Sequence, residues 1–298
     1  MQNFLAHLYQ MENLQPGIVL AWGLMMASSL TYAVVPTVLG MLLMVGGGWS
    51  LGWAWRVVVG YALLVPLLVL GGLAVMGGMI PTVPPVRGEN VSLRVAHLNA
   101  LWYEHDELQT KVDFVAASDA DVVSVVEVNP ELRALLENLK EYPYRFDSQK
   151  VLKEFHLGMM VLSRWPVTYV ASYGERMHLL KIARPANPFY VVQAHPQSPY
   201  LPHAMAQRNG ELATLAAAPL PTDKPLLMVG DMNTVPWDGH LAPLRAKLVL
   251  HGSWAPTFPR WAPMTPIDLL LASREWPAPT LHRVRVGGTD HLGVVGDF

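Results

Sequence analysis

An apolar stretch in this sequence ends in a carboxylate and an amide spaced two residues apart. In LLMVGDMNTVPWDG, Leu226 to Gly239, four apolar residues lead into Gly230, and Asp231 and Asn233 follow. Residues two apart point to the same side only while the chain stays extended. Because a strand end presents polar groups at the rim of a sheet, the pair either takes part in chemistry there or begins a turn.

Several other apolar stretches end in the same way. Taken singly, each such polar residue is as readily a turn former, a cap or a structural histidine. Their recurrence at the ends of strands is the observation that predicts a shared site. The candidate residues are Asn99, Glu127, His195, Asp231, Asn233, Asp268, Asp290 and His291.

The periodicity of apolar residues predicts an α/β domain with mixed strand pairing, because strands alternate with helices and with hairpin-like returns. Helices are predicted over Glu104–Ser118 and His203–Ala218, and another begins at Pro130. The predicted strands lie within Val91–Ala100, Ala120–Pro130, His156–Pro166, Phe189–Pro199, Pro225–Gly230, Pro266–Ser273, Leu281–Gly288 and Thr289–Phe298.

The first 80 residues have a different composition, which predicts a membrane anchor. Only 15% of the chain's residues are charged, and no charged side chain occurs from Asn13 to Trp55 or between Arg56 and Arg87. The two apolar blocks, Gly17–Gly48 and Val57–Ile80, are each long enough to cross a bilayer. We therefore expect two transmembrane helices in residues 1–80, or three if the first block breaks at its proline.

A proline-rich linker is predicted over residues 81–90, and the remaining residues, 91–298, form the α/β domain. The single basic residue between the blocks, Arg56, favours a cytoplasmic loop there and an extracytoplasmic domain. Arg87 and Arg94 argue for the other side of the cell membrane. The chain contains no cysteine, which rules out disulfide and thiol chemistry.

The order of the motifs resembles the endonuclease/exonuclease/phosphatase superfamily, the fold of DNase I, AP endonucleases and sphingomyelinases, and in particular its bacterial membrane-anchored branch. The matching run is HLNALW, VVSVVEVNP, LSRWP, VVQAHPQSP, LLMVGDMNTVPW, PIDLLL and GGTDHLGVV. It covers about Val91 to Phe298. The resemblance implies a four-layer α/β sandwich, in which two mixed β-sheets pack together between helices.

The resemblance also implies a metal-dependent phosphodiesterase or endonuclease-like hydrolase, with Mg²⁺ as its cofactor or Mn²⁺ in its place. By the family's motifs, Glu127 binds the metal, with Asn99 beside it and Asp290 near it. Asp231 and Asn233 position and activate the attacking water and hold the phosphate. His291 contacts the phosphate or takes a proton, Asp268 orients that imidazole, and His195 is a phosphate ligand or general acid.

This sequence departs from the family's pattern at four positions, and none of them removes a candidate catalytic group. Val126 stands where the family has glutamine, Met232 replaces the phenylalanine of GDFN, and Leu269 stands where histidine is frequent. The serine of the last motif is Thr289. The loss of the glutamine affects how the neighbouring glutamate is oriented.

Two functions from different classes remain open at this point. The first is a membrane-anchored phosphohydrolase acting on nucleic acid or on a phospholipid head group. The second is a catalytically retired domain that serves as a scaffold or subunit of a membrane assembly, with its glycine-rich spans packed against a partner protein. Four aromatic residues near the motifs either stack on bases, enter the membrane interface or fill the rim of the domain: Tyr200, Trp237, Trp254 and Trp261.

Overall fold

The computed structural model describes residues 68–69, 71–152, 158–250 and 255–298. The predicted span Gly17–Gly48 and half of Val57–Ile80 lie outside these residues, as does Trp254. Among the described residues, none of the helices has the length and apolar character needed to cross a membrane. The chain divides into two units, one of residues 1–72 and 198–207, and one of residues 73–197 and 208–298. All candidate site residues belong to the second.

Twelve strands and five α-helices have defined bounds in the described part of the chain. The strands are β1 Arg94–Asn99, β2 Val122–Val128, β3 Tyr144–Asp147, β4 Gly158–Ser163, β5 Val167–Ser172, β6 Met177–Ile182, β7 Phe189–Ala194, β8 Leu226–Asp231, β9 Val249–Leu250, β10 Asp268–Ala272, β11 Thr280–Arg285 and β12 Leu292–Asp297. The helices are α1 Leu108–Ala117, α2 Pro130–Leu136, α3 Ser148–Val151, α4 Pro202–Ala217 and α5 Ala242–Lys247.

The strands form two six-stranded mixed sheets. The first has the order β11-β12-β1-β2-β4-β3 and the second β5-β6-β7-β8-β10-β9. Each sheet has one parallel pair near its middle, β1 with β2 and β7 with β8, and antiparallel neighbours around it. The predicted class of two packed mixed sheets with helices is thus confirmed.

Three apolar clusters account for the layers. Between the sheets, Val95 and Val161 of the first sheet share a buried cluster with Val191 and Leu227 of the second. A second cluster joins the outer face of the first sheet to α1 and α2, and a third joins the second sheet to residues of α4 and α5. Strands covered on both faces read as nearly continuous apolar runs, which is why VVSVVEV was recognisable from sequence.

Four strands were not predicted: β3, β5, β6 and β9. β3 and β9 are only four and two residues long. β5 lies at the edge of its sheet, and several of its side chains are exposed, so its pattern lacks the apolar run of a central strand.

Residues 81–90, the predicted linker, contain neither helix nor strand and are bonded to the domain. The Arg87 guanidinium donates to both carboxylate oxygens of Asp121, at 2.9 and 2.7 Å. The amide of Arg285 donates to the carbonyl of Pro81 at 2.7 Å. The predicted domain limits at residues 80 and 90 stay predictions.

Gly230, in the VGD stretch, allows β8 to approach β7 very closely. A Cβ added there would lie 1.7 Å from the carbonyl oxygen of Ala194, a backbone atom that cannot rotate away. Ala194 and Gly230 immediately precede His195 and Asp231. This close approach therefore sets the separation of two candidate site residues.

Replacing Gly230 with alanine is expected to lower the free energy of unfolding by about 3 kcal/mol, because the added methyl overpacks a rigid backbone contact. The control is Gly210→Ala in α4, where nothing lies within 4 Å of the added Cβ. That change should raise stability by up to about 1 kcal/mol, since alanine favours helix. Urea denaturation followed by tryptophan fluorescence measures both, and equal effects at the two positions would contradict this packing.

Candidate active site

Strand direction brings the candidate residues together at one edge of the two packed sheets, here meaning the edge formed by the ends of the strands. The parallel pairs β1/β2 and β7/β8 carry their carboxyl ends to this edge, and the antiparallel strands β10 and β12 begin there. Asn99 and Asp231 are the last residues of β1 and β8, and Asp268 is the first of β10. Glu127 is next to last in β2, while His195 follows β7 and His291 precedes β12.

Asn99 joins the two sheets through its amide. Its Nδ2 donates to Glu127 Oε1 and to Asp231 Oδ2, both at 3.0 Å. Its Oδ1 accepts the backbone N–H of Leu101 at 3.0 Å. In this arrangement the amide presents its nitrogen to the carboxylates. These bonds orient the carboxylates of Glu127 and Asp231. The predicted place of Asn99 beside a metal stays a prediction.

Glu127 has an unusual backbone for a residue in a strand. Its φ is 57°, and the pairing of β2 with β4 shifts register between Val126 and Val128. Such a bulge turns the side chain out of the strand's alternation and towards the sheet edge. The backbone N–H of Trp102 donates to Glu127 Oε2 at 3.1 Å, which holds the carboxylate there.

The pKa of Glu127 is lowered to about 2 although burial alone would raise it. His195 is the main opposing cause, since its Nε2 lies 3.4 Å from Glu127 Oε1. The N–H of Trp102 and the amide of Asn99 act in the same direction. Glu127 is therefore an anion at neutral pH, as a metal ligand must be.

Asp231 and Asn233 begin a turn, and Asp231 also faces the site. Asp231 Oδ1 accepts the backbone N–H of Asn233 at 2.8 Å, and Asn233 has a φ of 49°, so the chain does not stay extended between them. The Nδ2 of Asn233 donates to the carbonyl of Pro196 at 2.9 Å, and Arg208 donates to the carbonyl of Asn233. The turn fixes Asn233, while Asp231 Oδ2 points to the shared edge.

Asp268 and His291 form a buried pair beside Asp231. In the antiparallel ladder Asp268 lies opposite Asp231, and its Oδ2 is 2.9 Å from Nδ1 of His291. The other ring nitrogen, Nε2, is 3.7 Å from Asp231 Oδ2 and 3.9 Å from Asp290 Oδ1. The Asp268 bond fixes the orientation of the imidazole.

The charges of this group shift the pKa values in opposite directions. Burial alone would lower the pKa of His291, but the carboxylates of Asp268 and Asp231 raise it well above its ordinary value. Burial alone would raise the pKa of Asp268, but the His291 charge and the bonds from two imidazoles hold it well below its usual range. Burial raises the pKa of Asp231, and the nearby Asp268 charge adds to the effect.

His195 and Asp290 complete the set at its two sides. His195 is 2% exposed, and both of its ring nitrogens are buried without a hydrogen-bond partner. Its Nε2 is 3.8 Å from Asp231 Oδ2 as well as close to Glu127. Asp290 is the more open residue, with 40% of its side chain exposed.

His97 belongs to the same network and was missed in the sequence. Its Nε2 lies 3.2 Å from Asp268 Oδ1, and its Nδ1 lies 3.2 Å from the hydroxyl of Ser124, the residue beside it in the parallel ladder. Ser124 in turn accepts from Gln193 of the second sheet at 3.0 Å. His97 therefore connects Asp268 of the second sheet to Ser124 of the first.

A buried lysine lies near the carboxylates and was also missed. Lys111 of α1 is 1% exposed, and Glu127 and Asp290 are among the acidic groups whose charges act on it. Burial is the largest cause of its lowered pKa. A lysine in the helical pattern of α1 is typical of a solvated helix face, so nothing in the sequence indicated its buried position.

The residues present can hold a divalent cation. The buried group of Asp231, Asp268 and His291 offers one ligand atom from each residue, all within 4.8 Å of one another. Both oxygens of Asp268 are bonded to imidazoles. Each oxygen of Glu127 and Asp231 accepts one amide N–H and keeps a second lone pair for a cation, and Asp290 is a partly exposed carboxylate beside them. Mg²⁺ prefers such hard oxygen ligands and few of them, so this donor set fits it.

Comparison with known proteins identifies the family of this chain. The sequence profile of the Endonuclease/Exonuclease/phosphatase family matches residues 108–291. The chain belongs to this family. Glu127, Asp231 and His291 lie within the matched range. A search of curated proteins found no match.

Several solved structures share this fold. Beta toxin from Staphylococcus aureus is 14% identical, with 69% of this chain and 99% of that chain covered and a TM-score of 0.56. D. rerio TDP2, complexed with single strand DNA product, is 15% identical, with 68% and 97% covered and a TM-score of 0.55. Sphingomyelinase C from Streptomyces griseocarneus is 17% identical, with 69% and 98% covered and a TM-score of 0.53. At these identities the likeness shows the fold alone.

Replacing His97 with leucine is expected to lower the free energy of unfolding by about 3 kcal/mol, because Asp268 then keeps a buried, unbonded carboxylate oxygen. His97→Gln, which can place an amide donor near the position of Nε2, should recover at least half of that loss. The control is His282→Leu, a histidine with 32% of its side chain exposed and an ion pair at 3.5 Å, where the loss should stay below about 1 kcal/mol. Urea denaturation measures the three variants, and a His97→Leu chain as stable as the control would contradict the network.

Proposed function

We propose that the protein is a membrane-anchored, Mg²⁺-dependent phosphohydrolase that cleaves a phosphodiester by metal-assisted attack of water. The observation that supports this best is the convergence of the candidate residues from both sheets on one edge. Asn99, Glu127 and Asp231 are joined by hydrogen bonds there, and Asp268 and His291 form a paired acid and imidazole beside them. Membership of the family supports phosphoester chemistry in general.

The chain's own groups supply the proton transfers. Asp231 has a pKa raised by burial, which suits a carboxylate that orients water and accepts its proton. His291 has a pKa raised by two carboxylates, so it is protonated at neutral pH and can bind a phosphoryl oxygen or give a proton to the leaving group. The two ring nitrogens of His195 are buried and make no hydrogen bond, although Nε2 lies 3.4 Å from Glu127 Oε1, so the imidazole could donate to a phosphate oxygen.

A bound divalent cation would polarise the phosphoryl oxygen and stabilise its developing charge. Glu127 and Asp290, with Asp231 beside them, are the residues that would hold it. The Asn99 amide donates to both Glu127 and Asp231 and so orients the two carboxylates. The backbone N–H of Trp102 holds the other oxygen of Glu127.

The membrane anchor in this proposal is supported by the sequence alone. The uncharged runs on either side of Arg56 are typical of membrane spans. The extracytoplasmic position of the domain is proposed on the same charge pattern as above. The glycines of these runs would allow close packing with a partner helix.

The alternative, a retired domain acting as a scaffold, is opposed by the state of the site. A domain without catalysis has no reason to keep Asp231 and Asp268 buried beside each other, because two buried carboxylates destabilise the fold unless they are paired. All the candidate groups are present, and contacts of 3.9 Å or less connect those other than Asn233 to one another.

The test is hydrolysis of bis-p-nitrophenyl phosphate by the purified full chain with Mg²⁺, Mn²⁺ or EDTA. We expect turnover that requires the metal and that falls by about 10²- to 10⁴-fold in Asp231→Ala and in His291→Ala, the range for loss of a proton-transfer group. The matched controls, at exposed positions, are Asp223→Ala and His240→Ala, which should keep full activity.

Two results would contradict the proposal. Turnover that persists in EDTA, or in a folded His291→Ala chain, would mean a different reaction or different residues. A folded wild-type chain that hydrolyses no phosphoester with either metal would favour the scaffold function.

A further inference from the structure

A short apolar face precedes the domain on residues 73–80. Val75, Met76 and Met79 lie on one side of this helical turn, and they are 65%, 61% and 77% exposed. Their spacing places them within about 100° of one another around a helix. Side chains of this size left together in water are costly, so the face needs a partner.

The opposite side of the same turn packs against the domain. A Cβ on Gly77 would lie 2.7 Å from the carbonyl oxygen of Trp261 and 2.9 Å from Pro263. The absence of a side chain therefore allows the turn to contact the loop of residues 259–263 directly. Trp261 itself is 56% exposed beside this contact.

The loop that carries Trp261 is bonded to the candidate site. The backbone N–H of Arg260 donates to the carbonyl of Asp290 at 2.6 Å, and its guanidinium donates to the carbonyl of Val286 at 3.0 Å. Asp290 is the partly exposed carboxylate of the site. The apolar face and the open side of the site are thus linked through adjacent residues.

Two arginines lie at the same place. The Arg285 guanidinium is 3.8 Å from the Cβ position of Gly78, and the Arg285 amide bonds to Pro81. Burial lowers the pKa of Arg260, and the like charge of nearby Arg285 acts in the same direction. The acidic groups Glu107 and Asp290 act on Arg260 in the opposite direction, so Arg285 is the arginine that is available to an external anion.

We propose that Val75, Met76, Met79, Trp261 and Arg285 form a surface that rests in the head-group region of a phospholipid bilayer, with the Asp290 side of the site opening beside the lipid phosphates. The substrate class that follows is the phosphoester of a membrane lipid. This inference rests on the proposed phosphohydrolase function and chooses among its substrates.

The observations favour a bilayer over a protein partner as the occupant. The residues immediately before the face, 57–72, contain no charged side chain, so the same apolar character continues along the chain. Arginine and tryptophan next to such a run are the residues typical of a membrane–water interface. The arginine charges complement lipid phosphates.

The first arm of the test uses the absence of cysteine, which makes any introduced cysteine a unique labelling site. The full chain with Met79→Cys or Trp261→Cys is labelled with an environment-sensitive fluorophore in vesicles of phosphatidylcholine and phosphatidylglycerol. The control is Tyr144→Cys, an aromatic position 42% exposed on β3, at the opposite edge of the first sheet from β11. We expect blue-shifted emission and quenching by spin-labelled lipids at the first two positions and neither at the control.

The second arm compares substrates for Trp261→Asp and Arg285→Glu. Release of the head group from lipid in the same vesicles should fall about fivefold or more in each variant, the loss expected for one interfacial contact. Hydrolysis of soluble bis-p-nitrophenyl phosphate should stay within about twofold of the wild-type rate, because neither side chain contacts the reacting groups.

Several outcomes would overturn the inference. The first is that the labels at Met79 and Trp261 stay in water. The second is self-quenching of the labels that depends on the protein-to-lipid ratio, which indicates contact with a second copy of the chain. The third is a wild-type chain that cleaves single-stranded DNA but no vesicle lipid. If soluble turnover persists in any of these cases, the proposed function stands without the inference. If the wild-type chain cleaves neither soluble nor lipid phosphoester, the proposed function fails first and takes the substrate class with it.

Discussion

The Asp268 carboxylate, buried between two imidazoles, is the interaction on which the arrangement of the site depends. Its side chain has no exposed surface, and its two oxygens face His97 at 3.2 Å and His291 at 2.9 Å. A buried charge is tolerated only when it is paired and bonded, so both imidazoles must stay in place. Since Asp268 lies in the second sheet and both histidines in the first, this one group fixes the two sheets relative to each other at the catalytic edge.

Three of the five described residues other than glycine that have a positive φ lie at the same edge. Leu101, Glu127 and Asn233 have φ values of 56°, 57° and 49°, in the left-handed region that side chains other than glycine disfavour. Each such residue costs about 1 to 3 kcal/mol and persists where the surrounding contacts determine it. Here those contacts are the Asn99 amide for Leu101, the strand bulge for Glu127 and the Asp231 carboxylate for Asn233. The strain accompanies the groups that the proposed chemistry uses.

Much of the site was predictable from the sequence because polar residues that end apolar strands stand out against their neighbours. His97 was not, since a histidine inside VAHLNA occupies an ordinary inward position, and its contact with Asp268 depends on how two sheets pack. The orientation of the Asn99 amide was equally hidden. The edge strand β5 and the two-residue β9 lack the apolar run that identifies central strands. The link between residues 73–80 and the loop of Trp261 arises from a missing side chain at Gly77, which no periodicity reveals.

The most direct test of the central claim is the titration of the histidine imidazoles by ¹H–¹⁵N NMR in EDTA, with His291 assigned through His291→Gln. Because the Asp268 and Asp231 carboxylates raise the pKa of His291 well above its ordinary value, we expect its ring to carry protons on both nitrogens at neutral pH. Asp268→Asn should return this pKa towards the ordinary value. A His291 ring that is neutral at pH 7 in the folded wild-type chain would contradict this charge pairing. So would a His291 pKa that does not change in Asp268→Asn.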